Sequence, residues 1–126
     1  MKNLFDLTGK TALITGAGGL LGPKHAEAII EYGGTAVLTD HHLDRVEERV
    51  AFLNDKYGEC SACAYHMDVS DPKSVKAVVD RCDKIDILIN NAAKDPKVKK
   101  EAGLTPDSRF ETMTPDYWEE GLNAAL

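Results

Sequence analysis

The chain has 126 residues, with 15 Lys and Arg against 21 Asp and Glu and a net charge of -6. That length suits one modest domain, and the acidic balance argues against a nucleic-acid or anionic-membrane binder. Its 43% hydrophobic content excludes wholesale disorder, no apolar run reaches the roughly 18 residues of a membrane span, Met1 to Asp6 has no secretory signal, and three cysteines give no disulfide framework.

The expectation is a reduced, cytoplasmic, acidic domain. Thr11 to Thr15 is a short apolar run stopped by glycine and reads as a buried strand. Residues 20–32 read as a helix, with Leu21, Ala28, Ile29 and Tyr32 on one stripe and Gly33-Gly34 ending it. Thr35 to Thr39 is a second strand. Leu43, Val46, Val50, Leu53 and Tyr57 recur at helical spacing before Gly58. Cys60 to Val69 reads as a third strand. Asp71-Pro72 starts a helix whose face carries Val75, Val78, Val79 and Cys82. Ile85 to Ile89 is a fourth strand, a polar stretch runs from Asn90 to Thr114, and Thr114-Pro115-Asp116 opens a last helix. Strands alternating with helices predict an α/β, Rossmann-like, doubly wound parallel sheet. The reading cuts it off after about four strands and the start of the fifth helix.

The turn Thr15-Gly16-Ala17-Gly18-Gly19-Leu20-Leu21-Gly22 lies between the first strand and the first helix, where a dinucleotide site is expected. Gly16 suits the tight turn. Gly18 and Gly19 let the backbone approach a pyrophosphate, and Gly22 lets the helix pack close to the sheet. Asp40 closes the second strand, where a carboxylate can bond the adenosine ribose and repel a 2′-phosphate. His41 and His42 follow it, with no adjacent Lys or Arg, which favours NAD over NADP.

At these residues the chain resembles the short-chain dehydrogenase/reductase family. The turn is similar to the family's T-G-x-x-x-G-x-G, Asp68-Val69 to its adenine-contacting Asp-Val pair, and Asn90-Asn91-Ala92-Ala93 to its N-N-A-G motif. The resemblance spans residues 6–126 and implies an oxidoreductase moving hydride between a nicotinamide and an alcohol or carbonyl. Carried over residue by residue, it places Gly16, Ala17, Gly18, Gly19, Leu21 and Gly22 at the pyrophosphate, and Asp40 and His41 at the adenosine ribose. Asp68 and Val69 hold adenine, and Asn90, Ala92 and Ala93 line the nicotinamide-side ribose. The chain departs from the family in having Leu20 at the middle glycine and Ala93 at the last. The family's active-site Asn falls near Ala125, with Asn123 a second candidate.

The family's proton donor is a Tyr-x-x-x-Lys pair. Here Tyr32, Tyr57, Tyr65 and Tyr117 are followed four places on by Ala36, Ser61, Val69 and Gly121. The expectation is the cofactor half of an enzyme over residues 1–126, with no catalytic residue and no turnover by itself. The alternatives are an NAD-binding module without chemistry, or an inactive truncation product. Homo-oligomers are expected only of full-length relatives.

Cys60 and Cys63 have C-x-x-C spacing but read as strand residues without further ligands. His41 and His42, adjacent in an extended segment, would point opposite ways, so no metal site is expected. His25 and His66 carry no partner signal. Lys94, Lys97, Lys99 and Lys100 form a basic stretch in a segment longer than an ordinary connection. It resembles a subgroup tied to bacterial surface-sugar biosynthesis and implies an anionic sugar substrate.

Overall fold

The computed structural model describes residues 4–93 and 113–125. The described elements are β1 (Thr11–Ile14), α1 (Gly22–Glu31), β2 (Thr35–Asp40), α2 (Leu43–Tyr57), β3 (Ala62–His66), α3 (Pro72–Val79), β4 (Ile87–Ile89) and α4 (Pro115–Ala125). The helix predicted as the fifth is the fourth among the described residues. The chain forms two compact units, Met1–Ala92 and Ala93–Leu126.

In the first unit the strands lie in the order β3-β2-β1-β4, and every pairing is parallel. Register pairs Leu13 with Val37 and with Leu88, and Asp40 with His66. The central strands are apolar on both faces because helices cover both. On one face Ile14, Ala36 and Leu38 pack with Ala26 of α1 and Val46 and Leu53 of α2. On the other, Leu13, Val37 and Met67 pack with Val78 of α3. The chain is thus doubly wound, as its alternating pattern predicts. Burying each large aliphatic side chain in these layers contributes about 1.5–3 kcal/mol.

Several element details differ from the sequence reading. The buried stripe of α1 is Gly22, Ala26 and Ile29, while Leu21 and Tyr32 stand half-exposed and Ala28 is exposed. Small residues won that face because the helix lies close against the turn before it. Helix α3 ends at Val79, which is 44% exposed, and Cys82 reaches the core from the turn that follows. Strand β3 is shorter than predicted. Cys60 lies in a turn at φ 68°, and beyond Met67 the Asp68 carboxylate accepts the Ser70 N–H and bends the chain away.

At the amino ends of the strands, Asp86 ties the sheet together. Its N–H donates to the Thr11 carbonyl at 2.9 Å, and its carboxylate accepts the Thr11 N–H at 3.0 Å. Lys84 and Lys10 pair with the same carboxylate at 2.9 and 3.4 Å. In the second unit, α4 is capped by Thr114, whose hydroxyl accepts the Tyr117 N–H at 3.3 Å, as the Thr-Pro-Asp start predicts.

Candidate cofactor site

Because all four strands run the same way, their carboxyl ends share one rim, where α/β proteins hold ligands. The turn after β1 is fixed there by backbone contacts. The Ala17 N–H donates to the Thr39 carbonyl at 2.8 Å. Gly16 has φ 61°, and a Cβ on it would fall 2.6 Å from Ala92 Cα, so both conformation and space exclude a side chain. A Cβ on Gly22 would fall 2.8 Å from the Ala17 carbonyl oxygen, which holds the first turn of α1 against the loop. Gly19 differs. Its nearest neighbour would be the Gly16 oxygen at 3.6 Å, an ordinary contact, so no internal packing requires a glycine there.

Helix α1 opens with Pro23 in its first turn, with no side-chain cap and no acidic residue. Its positive end therefore faces the turn without a capping carboxylate on the helix itself. Helix α3 shows the other solution, with Asp71 accepting the Lys73 N–H at 3.0 Å. Leu20 and Leu21, at the mouth of α1, are 87% and 59% exposed.

Asp40 stands beside this turn. Its Oδ2 accepts the Gly18 N–H at 3.0 Å, and its Oδ1 accepts the His42 N–H at 2.9 Å. The residue is 7% exposed. A carboxylate has about four acceptor sites, so two amide bonds leave capacity for further hydroxyl donors. Arg45, in the first turn of α2, comes close as well: a Cβ on Gly18 would fall 2.9 Å from Arg45 Cβ. Sequence adjacency missed this approach, which the first turn of α2 makes to Gly18 beside Asp40.

His41 and His42 do not point opposite ways. Their ring centroids lie 4.0 Å apart, and His41 Nδ1 is 3.2 Å from Asp40 Oδ1. Strand β2 ends at Asp40, whose carboxylate bends the chain by accepting the His42 amide, so strand alternation no longer applies. Asp68 is exposed at the end of β3. Its carboxyl is held below the usual range, chiefly by the Ser70 hydroxyl and amide and to a lesser degree by His41 and His66. Val69 packs against the core under α3.

The segment after β4 docks on the turn through Asn91, which the sequence reading left out. Its Nδ2 donates to the carbonyls of Thr15 and Gly16, each at 3.0 Å. The amides of Asn91 and Ala92 both donate to Thr15 Oγ1 at 3.0 Å. The doubled Asn was the available signal: one faces the turn, while Asn90 is exposed. Ala93 is exposed in the second unit, and Asn123 and Ala125 lie on α4.

Among the described residues no His, Cys, Asp and Glu group could hold a metal. Cys60 is exposed in its turn, not in a strand, whereas Cys63 and Cys82 pack in the α3-side core. Burial pushes both of those thiols up. Lys94, Lys97, Lys99 and Lys100 lie outside the described residues. No helix among the described residues is long and apolar enough to cross a membrane.

The parallel sheet, its helix-covered faces and the glycine turn at its carboxyl rim define a dinucleotide-binding type of fold. The chain belongs to the short chain dehydrogenase family, which it matches over residues 10–124. It is 40% identical over 93 residues to the uncharacterized oxidoreductase YxbG of Bacillus subtilis, covering 71% of this chain and 33% of that protein. A 3-ketoacyl-(acyl-carrier-protein) reductase from Brucella melitensis, crystallised with NADH, superposes with a TM-score of 0.72 at 27% identity, covering 94% of this chain and 45% of that one. An NADPH-dependent 3-quinuclidinone reductase from Rhodotorula rubra gives 0.73 at 29% identity, over 98% of this chain and 44% of that one. The chain thus spans less than half the length of each.

Proposed function

We propose that residues 1–126 act as one cytoplasmic cofactor-binding domain of a dehydrogenase and bind NAD in preference to NADP. The observation that carries this is the buried carboxylate of Asp40, held 3.0 Å from the Gly18 amide at the flank of the glycine turn. The residues present suit a dinucleotide. A turn that admits no side chain at Gly16 or Gly22 would cradle the diphosphate, with Ala17, Gly18, Gly19 and Leu21 completing it, and the uncapped end of α1 supplies positive potential. Asp40 would accept bonds from the adenosine ribose hydroxyls, with His41 beside it. Asp68 and Val69 would border adenine, and Asn90, Ala92 and Ala93 the nicotinamide-side ribose. A bound nicotinamide supplies hydride exchange with an alcohol or carbonyl.

This chain contributes binding and orientation to that chemistry. No tyrosine in it has a lysine four places on, so we infer that it takes up dinucleotide without turnover by itself. The basic stretch Lys94 to Lys100 would favour an anionic, sugar-like substrate in a full-length relative. Equal affinity for neutral and anionic sugars in a full-length relative would remove that part of the reading.

Calorimetry with NAD and NADP at neutral pH tests the main reading. Tighter NAD binding is expected. No heat with either rejects the site, and tighter NADP binding rejects the role of Asp40. Steady NADH production by this chain with any alcohol would reject the reading of a non-catalytic part.

A further inference from the structure

Three of the four histidines in the sequence gather at the rim beside Asp40. His41 places Nδ1 3.2 Å from Asp40 Oδ1, and its ring lies 4.0 Å from that of His42. His66 is the register partner of Asp40 on β3, so the two occupy neighbouring positions on one face of the sheet. Arg45 approaches Gly18 from α2, and Asp68 lies within the electrostatic reach of His41 and His66. His41 is exposed, with 67% of its side chain open to solvent.

Two carboxylates act on these rings: Asp40 on β2, 3.2 Å from His41, and Asp68 beyond β3, which feels both His41 and His66. With the imidazoles neutral, the cluster is negative and repels a 2′-phosphate. With His41, His42 and His66 protonated, cations outnumber carboxylates and the sign reverses. Histidine is the side chain whose ordinary titration falls in the range where this matters.

We propose that His41 is a specificity-determining residue whose protonation relaxes the discrimination of this site against the 2′-phosphate of NADP. This rests on the reading of Asp40 as the ribose acceptor. When neutral, His41 leaves the Asp40 carboxylate free to accept ribose hydroxyls and to exclude a phosphate. When protonated, its Nδ1–H pairs with Asp40 Oδ1, which offsets that negative charge, and the imidazolium adds a cation at the rim. The 3.2 Å approach of the two groups is observed; protonation changes its charge.

The test is calorimetric binding of NAD and of NADP to this chain, from about pH 8 down to about pH 5.5, across the histidine range. The ratio of the two dissociation constants is the readout, because it cancels general losses of binding. In the native chain the preference for NAD should fall by about tenfold as the pH falls, several exposed charge contacts each giving a factor of a few. In His41→Gln most of that change should vanish, leaving the smaller part due to His42 and His66. The 2′-phosphate titrates as well, but identically for native and variant chains, so only their difference counts. An equal pH slope in native and His41→Gln chains overturns the proposal while leaving the cofactor site intact. Absence of binding by either dinucleotide at every pH overturns both.

Discussion

The side-chain amide of Asn91 donates to the carbonyl of Thr15 at 3.0 Å and, through the same nitrogen, to that of Gly16. The second residue after β4 thus holds the turn after β1 by its main chain, across 76 positions of sequence. Removing that amide takes the donor from the Thr15 carbonyl and leaves the Gly16 carbonyl only the longer bond from the Gly19 N–H at 3.4 Å. Asn91→Ala should lower stability by about 1–3 kcal/mol and weaken NAD binding as the turn loosens. Chemical denaturation and calorimetry on the same samples check both effects. Retention of native affinity would show that the turn is set by β1 alone.

Gly22 and Gly19 separate fold from binding. Gly22→Ala forces a methyl against Ala17 and should destabilise by about 1–3 kcal/mol. Gly19→Ala meets only an ordinary contact and should stay within about 0.5 kcal/mol of native stability. Both should lose NAD affinity, for the added methyl of Gly19→Ala would stand on the backbone that the proposed diphosphate approaches. Thermal melts beside binding isotherms distinguish the two patterns.

Asp40 accepts from two backbone amides at once. In Asp40→Asn one of those amides must face an NH2 group. The expected loss of stability is about 1–2 kcal/mol, the cost of a buried unsatisfied donor. NAD affinity should fall about tenfold or more with the loss of a charged acceptor, and NADP much less. A parallel loss for both dinucleotides would show that Asp40 shapes the turn without reading the ribose.

Asp86 gives a pH prediction. Its carboxyl is lowered from 3.8 to about 2, first by Lys84 and then by the Thr11 amide. A carboxyl lowered on folding stabilises above its unfolded pKa and ceases to do so as pH falls through the folded value. Asp86→Asn should therefore melt below the native chain at neutral pH, and the gap should close between about pH 4 and pH 2, the interval between those two values. A gap that persists at pH 2 would assign the effect to packing.

The alternating strands and helices made the doubly wound sheet legible, and the glycine run with Asp40 located the rim. Spacing alone did not show which face of α1 is buried. Leu21 looks like a core residue in a helical wheel, but Gly22 and Ala26 allow the close approach and so take the inner face. The bonds of Asn91 to the turn and the approach of Arg45 to Gly18 escaped because each depends on distant segments meeting. The histidine pair was misplaced because the Asp40 carboxylate, a side chain, ends the strand geometry that alternation assumes.

The sheet's two rims carry different burdens. The Asp86 knot joins β1 to β4 at the rim opposite Asp40, and four residues of β1 separate it from the turn, roughly 13 Å at strand rise. Substitutions at that distance usually add without interacting. A sturdier lower knot should therefore be transferable onto chains with reshaped coenzyme preference, each edit being tuned without spoiling the other.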